Sequence, residues 1–165
     1  VNKKTLSISL RRRIKPNLNF DLKLVNLKRH KPEFKNLKYE EILKHLSKLN
    51  NSRSDIGLCS NKKIFETGTS NLLFIKNNKI FSPKDKFYKG ITYKFFKSKI
   101  KRIVQKDILI SSLNEFDEIL LVGSGKGVAS VKTINKYKWS RKSLKFYNIL
   151  LKYYKSAINN YPRYR

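Results

Sequence analysis

The chain has 165 residues, of which 39% are hydrophobic, and this is enough for one domain with a single packed core. No apolar run approaches the roughly 18 residues that a membrane-spanning helix needs. Cys59 is the single cysteine, which excludes an internal disulfide and a cysteine-rich metal site and indicates a reducing, cytoplasmic setting. The chain begins with Val1 and contains no methionine, so we expect a fragment or a trimmed form of a longer protein.

The formal net charge is +28, from 39 Lys and Arg residues against 11 acidic ones. Taken alone, this charge indicates binding to nucleic acid or to another anionic surface. The basic residues, however, run from Lys3 to Arg165 without gathering in one tail or stripe. We interpret the charge as a composition bias on an ordinary fold, and we do not expect nucleic acid to be the partner. The alternative is a basic nucleic-acid-binding protein, for example a ribosome-associated one, whose 9 Tyr and 10 Phe side chains could stack on bases.

The predicted elements alternate between strands and helices along the chain. Loose alternation of apolar residues predicts two strands within 5–28, separated at Pro16, before a loop at 29–37. Further strands are predicted at 55–59, 62–66, 71–76, 79–81, 107–110 and 118–123. Helical spacing predicts helices at 38–49, 91–104 and 140–157. Asn77-Asn78 predicts a hairpin turn, and the order of elements predicts a mixed α/β or α+β domain.

Two charged residues could carry chemistry. Lys35, in FKNLKYEE, lies at the junction of the predicted loop and the first helix. A lysine that forms a Schiff base needs a fixed backbone and a lowered pKa, which a dense positive field and partial burial favour. Glu66 ends a strand in FETGTSNLLFI, and a carboxylate that faces a pyridine nitrogen keeps it protonated. The plainer alternatives are a solvated lysine and a turn acid paired with one of many lysines.

Two glycine-containing segments could bind an anion. Gly90 precedes the helix predicted to begin at Ile91 and Thr92, and free backbone N–H groups at a helix N-terminus bind phosphate. The strand at 118–123 leads into GSGKG, where a nest containing the Ser124 hydroxyl could hold a phosphate or a carboxylate. The spacing is neither that of a Walker A loop nor that of a dinucleotide fingerprint. An ordinary helix start and an ordinary tight turn remain the alternatives.

In their order and spacing, these segments resemble the C-terminal domain of the class IV, or fold-type IV, pyridoxal-phosphate aminotransferases. That family includes branched-chain aminotransferase, D-amino-acid aminotransferase and 4-amino-4-deoxychorismate lyase. The resemblance covers about residues 29–134 and rests on Lys35, Glu66 with Ser70-Asn71, Gly90-Ile91-Thr92, Asp117-Glu118 and Gly123-Ser124. It implies a D-amino-acid-aminotransferase-like C-terminal domain over 17–165, a β-rich pseudo-barrel with flanking helices. Residues 1–16 would then contain the last strand of a preceding N-terminal domain.

The resemblance also implies a role for each matching residue. Lys35 would hold pyridoxal 5'-phosphate as a Schiff base and act as the base that moves protons, and Glu66 would face the pyridine nitrogen. Backbone N–H groups of Ile91 and Thr92, with the Ser124 hydroxyl, would bind the cofactor phosphate.

The turn formed by Ser124 and Gly125 would in addition contact a substrate carboxylate. The resemblance implies an amino substrate and a homodimer, and it implies no metal ion.

Three positions depart from the family pattern: Tyr93 stands where the family has Arg, Lys38 where it has Asn, and Ser130 where it has Pro. The N-terminal domain of the family supplies an Arg to the phosphate and part of the substrate pocket. We therefore expect the 165 residues alone to bind cofactor weakly and to turn over poorly.

Leu37 and Glu41 favour the branch of 4-amino-4-deoxychorismate lyase, which eliminates pyruvate to give 4-aminobenzoate for folate synthesis. The alternatives are a branched-chain or D-amino-acid aminotransferase, and a relative that keeps the fold without activity.

Overall fold

The computed structural model describes residues 17–34, 38–100 and 102–161, which form ten strands and three α-helices. The strands are β1 (Asn19–Asn26), β2 (Ser54–Ser60), β3 (Lys63–Thr67), β4 (Asn71–Lys76), β5 (Lys79–Pro83), β6 (Ile103–Lys106), β7 (Ile108–Leu109), β8 (Glu118–Gly123), β9 (Gly127–Ile134) and β10 (Trp139–Ser140). The helices are α1 (Glu40–Leu46), α2 (Ile91–Lys99) and α3 (Lys145–Asn159), and 3₁₀ turns occupy Ile110–Glu115 and Asn135–Tyr137. The strand predicted within residues 1–16 lies outside the described residues.

One sheet contains all ten strands, in the order β6-β5-β4-β8-β9-β1-β2-β3-β7, with β10 paired to β9. Strand β1 lies inside it and runs parallel to both β2 and β9. Four strands lie between β3 and β4 in this order, yet only residues 68–70 connect the two. Such a short elbow forces the sheet to curl until its two halves meet. The predicted mixed α+β fold, a strand-rich sheet with flanking helices, is confirmed.

The curled sheet has an inner and an outer apolar face, as the alternation along β4 shows. Leu72 and Phe74 lie in the inner cluster, where Phe74 contacts Phe116 at a ring-centroid distance of 5.1 Å. Leu73 and Ile75 point to the opposite face, because successive strand side chains alternate. On that outer face α2 and α3 pack against the sheet, while α1 covers a third apolar cluster on β1 and β2. The helices therefore surround a barrel-like sheet.

The turn at Asn77-Asn78 forms as predicted, and its backbone explains the choice of residues. Both asparagines have positive φ, 50° and 57°, as the hairpin turns that match strand twist require. Asparagine tolerates this conformation better than most residues. The strands on either side, β4 and β5, pair from Lys76↔Lys79 to Phe74↔Phe81.

The first helix, α1, is shorter than the predicted helix over 38–49.

The prediction of a helix over 91–104 is wrong at its C-terminal end. Helix α2 stops at Lys99, and Ile103 and Val104 belong to β6. There Ile103 lies beside Ile80 of β5 and Val104 beside Phe81. β-Branched residues suit a strand, and the open edge of β5 supplies backbone partners that a longer helix would leave unused.

The last helix also starts later than the predicted Ser140. Trp139 and Ser140 pair with β9, and the Arg141 N–H donates to the carbonyl of Lys132. The backbone therefore continues along the sheet until α3 begins at Lys145. The strand predicted at 107–110 is likewise confined to Ile108–Leu109.

Candidate active site

Segments from distant parts of the sequence meet around a cavity of about 410 Å³. The walls come from the loop after β1, helix α1, the elbow between β3 and β4, the start of α2 and the end of β8. Of the residues predicted to form the site, Glu66, Ile91, Thr92 and Ser124 line this cavity. Gly125 is exposed beside Ser124. Lys35 lies outside the described residues.

Glu66 is the acidic group of the cavity and is only 3% exposed. Its Oε1 accepts a hydrogen bond from Nε of Arg29 at 2.7 Å, and its Oε2 accepts one from the Tyr88 N–H at 3.4 Å. Burial raises the pKa of Glu66 above its usual range, and Arg29 partly opposes that rise. The carboxylate is thus fixed on both oxygens at the wall of the cavity.

Arg29 is the site residue that sequence reasoning missed. It lies in the loop after β1, donates to the Gly68 carbonyl at 3.4 Å as well as to Glu66, and its guanidinium lies 4.9 Å from the centre of the Tyr39 ring. All of these residues line the cavity. Nothing local in the sequence distinguishes this arginine among 39 basic residues. The burial of Glu66 is the signal that could have found it, because a buried carboxylate requires a partner.

The start of α2 presents backbone donors to the cavity. Gly90 is the N-cap residue, with extended backbone and no side-chain cap. Asn71 fixes the approach to the helix: its Oδ1 accepts from the Gly90 N–H at 3.1 Å and its Nδ2 donates to the Tyr88 carbonyl. A Cβ at position 90 would lie 3.0 Å from that Oδ1, which favours glycine. The first N–H groups of a helix have no partner within it, so those of Ile91 and Thr92 can bind an anion.

The end of β8 and the elbow contribute hydroxyl groups. Ser124 follows Gly123, whose Cβ, if present, would lie 3.0 Å from the Oγ of Ser70. Ser70 is 7% exposed, and among the described residues its Oγ has no hydrogen-bond partner. Unpaired buried hydroxyl groups are uncommon and call for an explanation. This part of the cavity is therefore polar, and the Ser70 hydroxyl is available to form a hydrogen bond with a ligand.

Two of the three departures from the family pattern have structural explanations. Tyr93 is fully buried on the outer face of the sheet, where its hydroxyl lies 2.9 Å from Oγ of Ser82, so it belongs to the core and not to the cavity. Ser130 donates its backbone N–H to the Leu18 carbonyl at 3.0 Å, a bond that proline could not make. Lys38 is exposed before α1.

The fold and the cavity define a class of protein, and a comparison with known families identifies it. The family model of the class IV amino-transferases matches residues 6–134, well over half of the chain. The chain belongs to this family. The predicted family is confirmed, and with it the class of pyridoxal-phosphate-dependent aminotransferases and lyases.

Solved structures share the fold. A Legionella pneumophila protein assigned as a 4-amino-4-deoxychorismate lyase has a TM-score of 0.77 and 18% identity over 89% of this chain and 59% of its own. A branched-chain aminotransferase from Thermoproteus uzoniensis, solved with norvaline, has a TM-score of 0.72 and 14% identity over 88% of this chain and 52% of its own. An aminotransferase from Brucella abortus, solved with pyridoxal phosphate, has a TM-score of 0.69 and 16% identity over 90% and 58%.

This chain therefore spans between half and three fifths of the solved structures it resembles. No curated protein sequence matches it. In the part of the chain that the structure describes, no helix combines the length and apolarity needed to cross a membrane. In the same residues, no group of His, Cys, Asp and Glu side chains could hold a metal ion.

Proposed function

We propose that this chain is the cofactor-binding domain of a pyridoxal-phosphate-dependent enzyme, with the cofactor in the cavity beside Glu66. One observation carries the proposal. Glu66, Ile91, Thr92 and Ser124, from three separate parts of the sequence, line a single cavity of about 410 Å³. If Glu66, the start of α2 and the Ser124 turn each had only a structural role, nothing would require them to line the same cavity.

The residues of this cavity fit pyridoxal phosphate. The cofactor has a pyridine nitrogen and a phosphate, which need a carboxylate at one end and hydrogen-bond donors at the other. Glu66 supplies a buried carboxylate. The start of α2 and the hydroxyl of Ser124 supply donors, and the Ser70 hydroxyl, which has no partner among the described residues, lies beside Gly123 next to them. The donor set matches the charge of both ends.

Each residue then has a defined task. Bound pyridoxal phosphate supplies an electron sink for bonds at the substrate α-carbon. Glu66 keeps a proton on the pyridine nitrogen, and Arg29 holds the carboxylate in the orientation that this requires. The N–H groups of Ile91 and Thr92, with the Ser124 hydroxyl, bind the phosphate.

The same turn, Ser124 with Gly125, would contact a substrate carboxylate. Ser124 lines the cavity and both residues are exposed, so the turn is accessible to a ligand from solvent.

Lys35 remains a prediction from the sequence. Its amine would hold the cofactor covalently and move a proton at the substrate α-carbon. The position along the chain supports this role, because Tyr39, Ile42 and Leu43, which follow shortly after it, line the cavity.

For the whole enzyme, we propose a 4-amino-4-deoxychorismate lyase-like activity, which releases pyruvate and 4-aminobenzoate. The Legionella structure and the positions of Leu37 and Glu41 support it. A branched-chain or D-amino-acid aminotransferase is the alternative, and the Thermoproteus branched-chain enzyme, with a TM-score of 0.72, supports the first of these in fold. We also propose a homodimer in a reducing, cytoplasmic setting, consistent with a single, buried Cys59.

Titration with pyridoxal phosphate, followed by visible absorbance and borohydride reduction, tests the proposal. Because the chain contains 30 lysines, any of which could react non-specifically, peptide mapping after reduction must identify the modified lysine. We expect Lys35 to be labelled first, and Lys35→Ala to lose the saturable phase. Lys48→Ala, which removes an exposed lysine of the same segment, should retain it. Equal labelling of many lysines, unchanged in Lys35→Ala, would contradict the proposal.

The nucleic-acid alternative has its own test. A phosphate-driven RNA binder loses affinity steeply as salt increases. We expect only weak RNA binding that disappears at physiological salt, and binding by pyridoxamine 5'-phosphate that persists there. Tight RNA binding at that salt would favour the alternative.

A further inference from the structure

Lys126 fixes the turn between β8 and β9 to the rest of the molecule. Its side chain is only 11% exposed, and its Nζ donates to Oδ2 of Asp55 at 2.8 Å and to Oγ1 of Thr69. The same Nζ lies 5.1 Å from the centre of the Phe20 ring. Ser124 and Gly125, which precede it in the turn, are exposed. The third residue of the turn is therefore anchored in the interior, while the first two are exposed and Ser124 lines the cavity.

The anchor point is a fully buried carboxylate. Asp55 on β2 is 0% exposed, and it accepts hydrogen bonds from Oγ1 of Thr67 at 2.8 Å, from Oγ1 of Thr69 at 2.7 Å and from the Ile56 N–H at 2.8 Å. A buried charge is costly unless a counter-charge neutralises it. Among the described residues, Lys126 is the cation in ion-pair contact with Asp55. The pair is therefore strongly held in this one arrangement.

This pair connects the turn to the wall of the cavity. Thr69, which contacts both partners of the pair, lies in the elbow between β3 and β4 and lines the cavity beside Ser124. Tyr154 of α3 packs on Gly127, the residue directly after the turn, because a Cβ at Gly127, where φ is +66°, would lie 2.7 Å from the tyrosine ring. The turn is thus held between α3 and the elbow.

We infer that Lys126 is a positioning residue for anion binding at this cavity: it holds Ser124 where its hydroxyl meets the phosphate of the ligand. This inference rests on the proposed function. The charge of Lys126 is neutralised by Asp55, so it acts through the position of the turn and not as a counter-ion of the phosphate. Without this ion pair, the two exposed residues of the turn would lose conformational entropy when the ligand binds. Because the pair orders the turn beforehand, binding does not carry this entropic cost.

Isothermal titration of pyridoxamine 5'-phosphate and of pyridoxamine tests the inference. Neither ligand has an aldehyde, so neither reacts with surface lysines, and the ratio of their Kd values measures the preference for the phosphate alone. The variants are Lys126→Met, Lys126→Arg and Lys132→Met. Lys132 is an exposed lysine of β9, so its removal controls for the loss of one charge.

We expect Lys126→Met to reduce the phosphate preference about tenfold with little change for pyridoxamine, since a misplaced donor loses its bond to the phosphate alone. Lys126→Arg, which keeps the ion pair, should retain most of the preference, and Lys132→Met should stay within about twofold of the wild type. If the unpaired Asp55 prevents the Lys126→Met protein from folding, the double variant Lys126→Met, Asp55→Asn, in which neither residue is charged, replaces it. The same ratio of Kd values is then measured for this double variant.

A preference in Lys126→Met equal to that in Lys132→Met would overturn the inference. A wild type that binds both ligands equally would also overturn it, while labelling of Lys35 by pyridoxal phosphate would still support the proposed function. A wild type that binds neither ligand and shows no selective labelling would overturn both.

Discussion

Arg29 and Glu66 form an ion pair inside the molecule, with 2.7 Å between Nε and Oε1 and side chains that are 6% and 4% exposed. The pair joins the loop after β1 to the end of β3. Glu66 lines the cavity. The orientation of its carboxylate there depends on the ion pair with Arg29, an arginine that is remote in sequence. The guanidinium is planar and fixed by Tyr39 and Gly68, so it determines where the carboxylate points.

Replacing Arg29 by methionine should destabilise the fold by about 3–5 kcal/mol, because the carboxylate of Glu66 would stay buried without its partner. Urea unfolding measures this loss. Combining the change with Glu66→Gln should recover part of it, since no buried charge then remains. As a control, Lys63→Met removes one partner of the exposed pair with Asp107 and should change stability little. An equal effect of both single changes would contradict the assigned role of the buried pair.

The stability of the protein should depend on pH through Glu66. Burial raises the pKa of its carboxyl group above the ordinary value of 4.5, and this outweighs the opposing effect of Arg29. As pH rises, the unfolded chain therefore releases this proton first. The stability contributed by protonated Glu66 is fully present below about pH 4.5 and is lost as pH rises through the raised pKa of the folded state.

Glu66→Gln removes this titration, so the free energy of unfolding of the wild type should fall relative to the variant as pH rises from about 4.5 through the raised pKa of Glu66. The unpaired Arg29 of the variant adds only a constant offset, since arginine stays charged throughout this range. Urea unfolding across the range gives both curves. If the free energies of unfolding of the wild type and the variant run parallel with pH, burial does not raise the pKa of Glu66.

Ile91→Pro should separate phosphate binding from stability. Position 91 is the first of α2, where proline is tolerated because its missing N–H has no partner within the helix. Gly90 already has extended backbone, at φ −65° and ψ 162°, as the residue before a proline requires. The side chain is 81% exposed, so little packing is lost.

We therefore expect an unchanged melting temperature but pyridoxamine 5'-phosphate binding weakened about tenfold, because one donor to the phosphate is removed. Ile91→Ala, which keeps the N–H, serves as the matched control and should bind like the wild type. Weakening of equal size in both variants would show that the side chain, and not the backbone donor, affects the ligand.

Glu118 caps the last helix from the sheet. Its Oε1 accepts from the Phe146 N–H at 2.8 Å and from Oγ of Ser143 at 3.0 Å, and its Oε2 accepts from the Tyr147 N–H at 2.9 Å. Glu118→Ala should cost roughly 2 kcal/mol, the upper end for a lost helix cap, and should lower helical circular dichroism. Within the described ranges, the neighbouring Asp117→Ala loses a single side-chain hydrogen bond, at 3.4 Å from the Asn77 N–H, so it should change both measurements little. A silent Glu118→Ala would contradict the capping role.

Local signals in the sequence were sufficient where the chemistry is local. The Asn77-Asn78 turn follows from two residues that tolerate positive φ, and the strands beside it follow from alternation. The residues Glu66, Ile91, Thr92 and Ser124 were found in order along the chain, and the structure brings them to one cavity.

Pairings between distant residues were beyond the sequence. Arg29 and Lys126 look like any other basic residue until the buried carboxylates of Glu66 and Asp55 are placed beside them. For the same reason the end of α2 was misjudged, since helical spacing does not show that β5 offers Val104 a strand partner. The placement of Lys35 at the cavity stays a prediction from the sequence.

The central position of β1 has a consequence for biosynthesis. Phe20 lies beside Val131 of β9, so one edge of β1 has no partner until translation has continued from β1 through β9. An unpaired strand edge is prone to associate with other chains. Truncated or stalled nascent forms that lack β9 should therefore aggregate, and chaperones that cover exposed strands would matter most in this interval of translation.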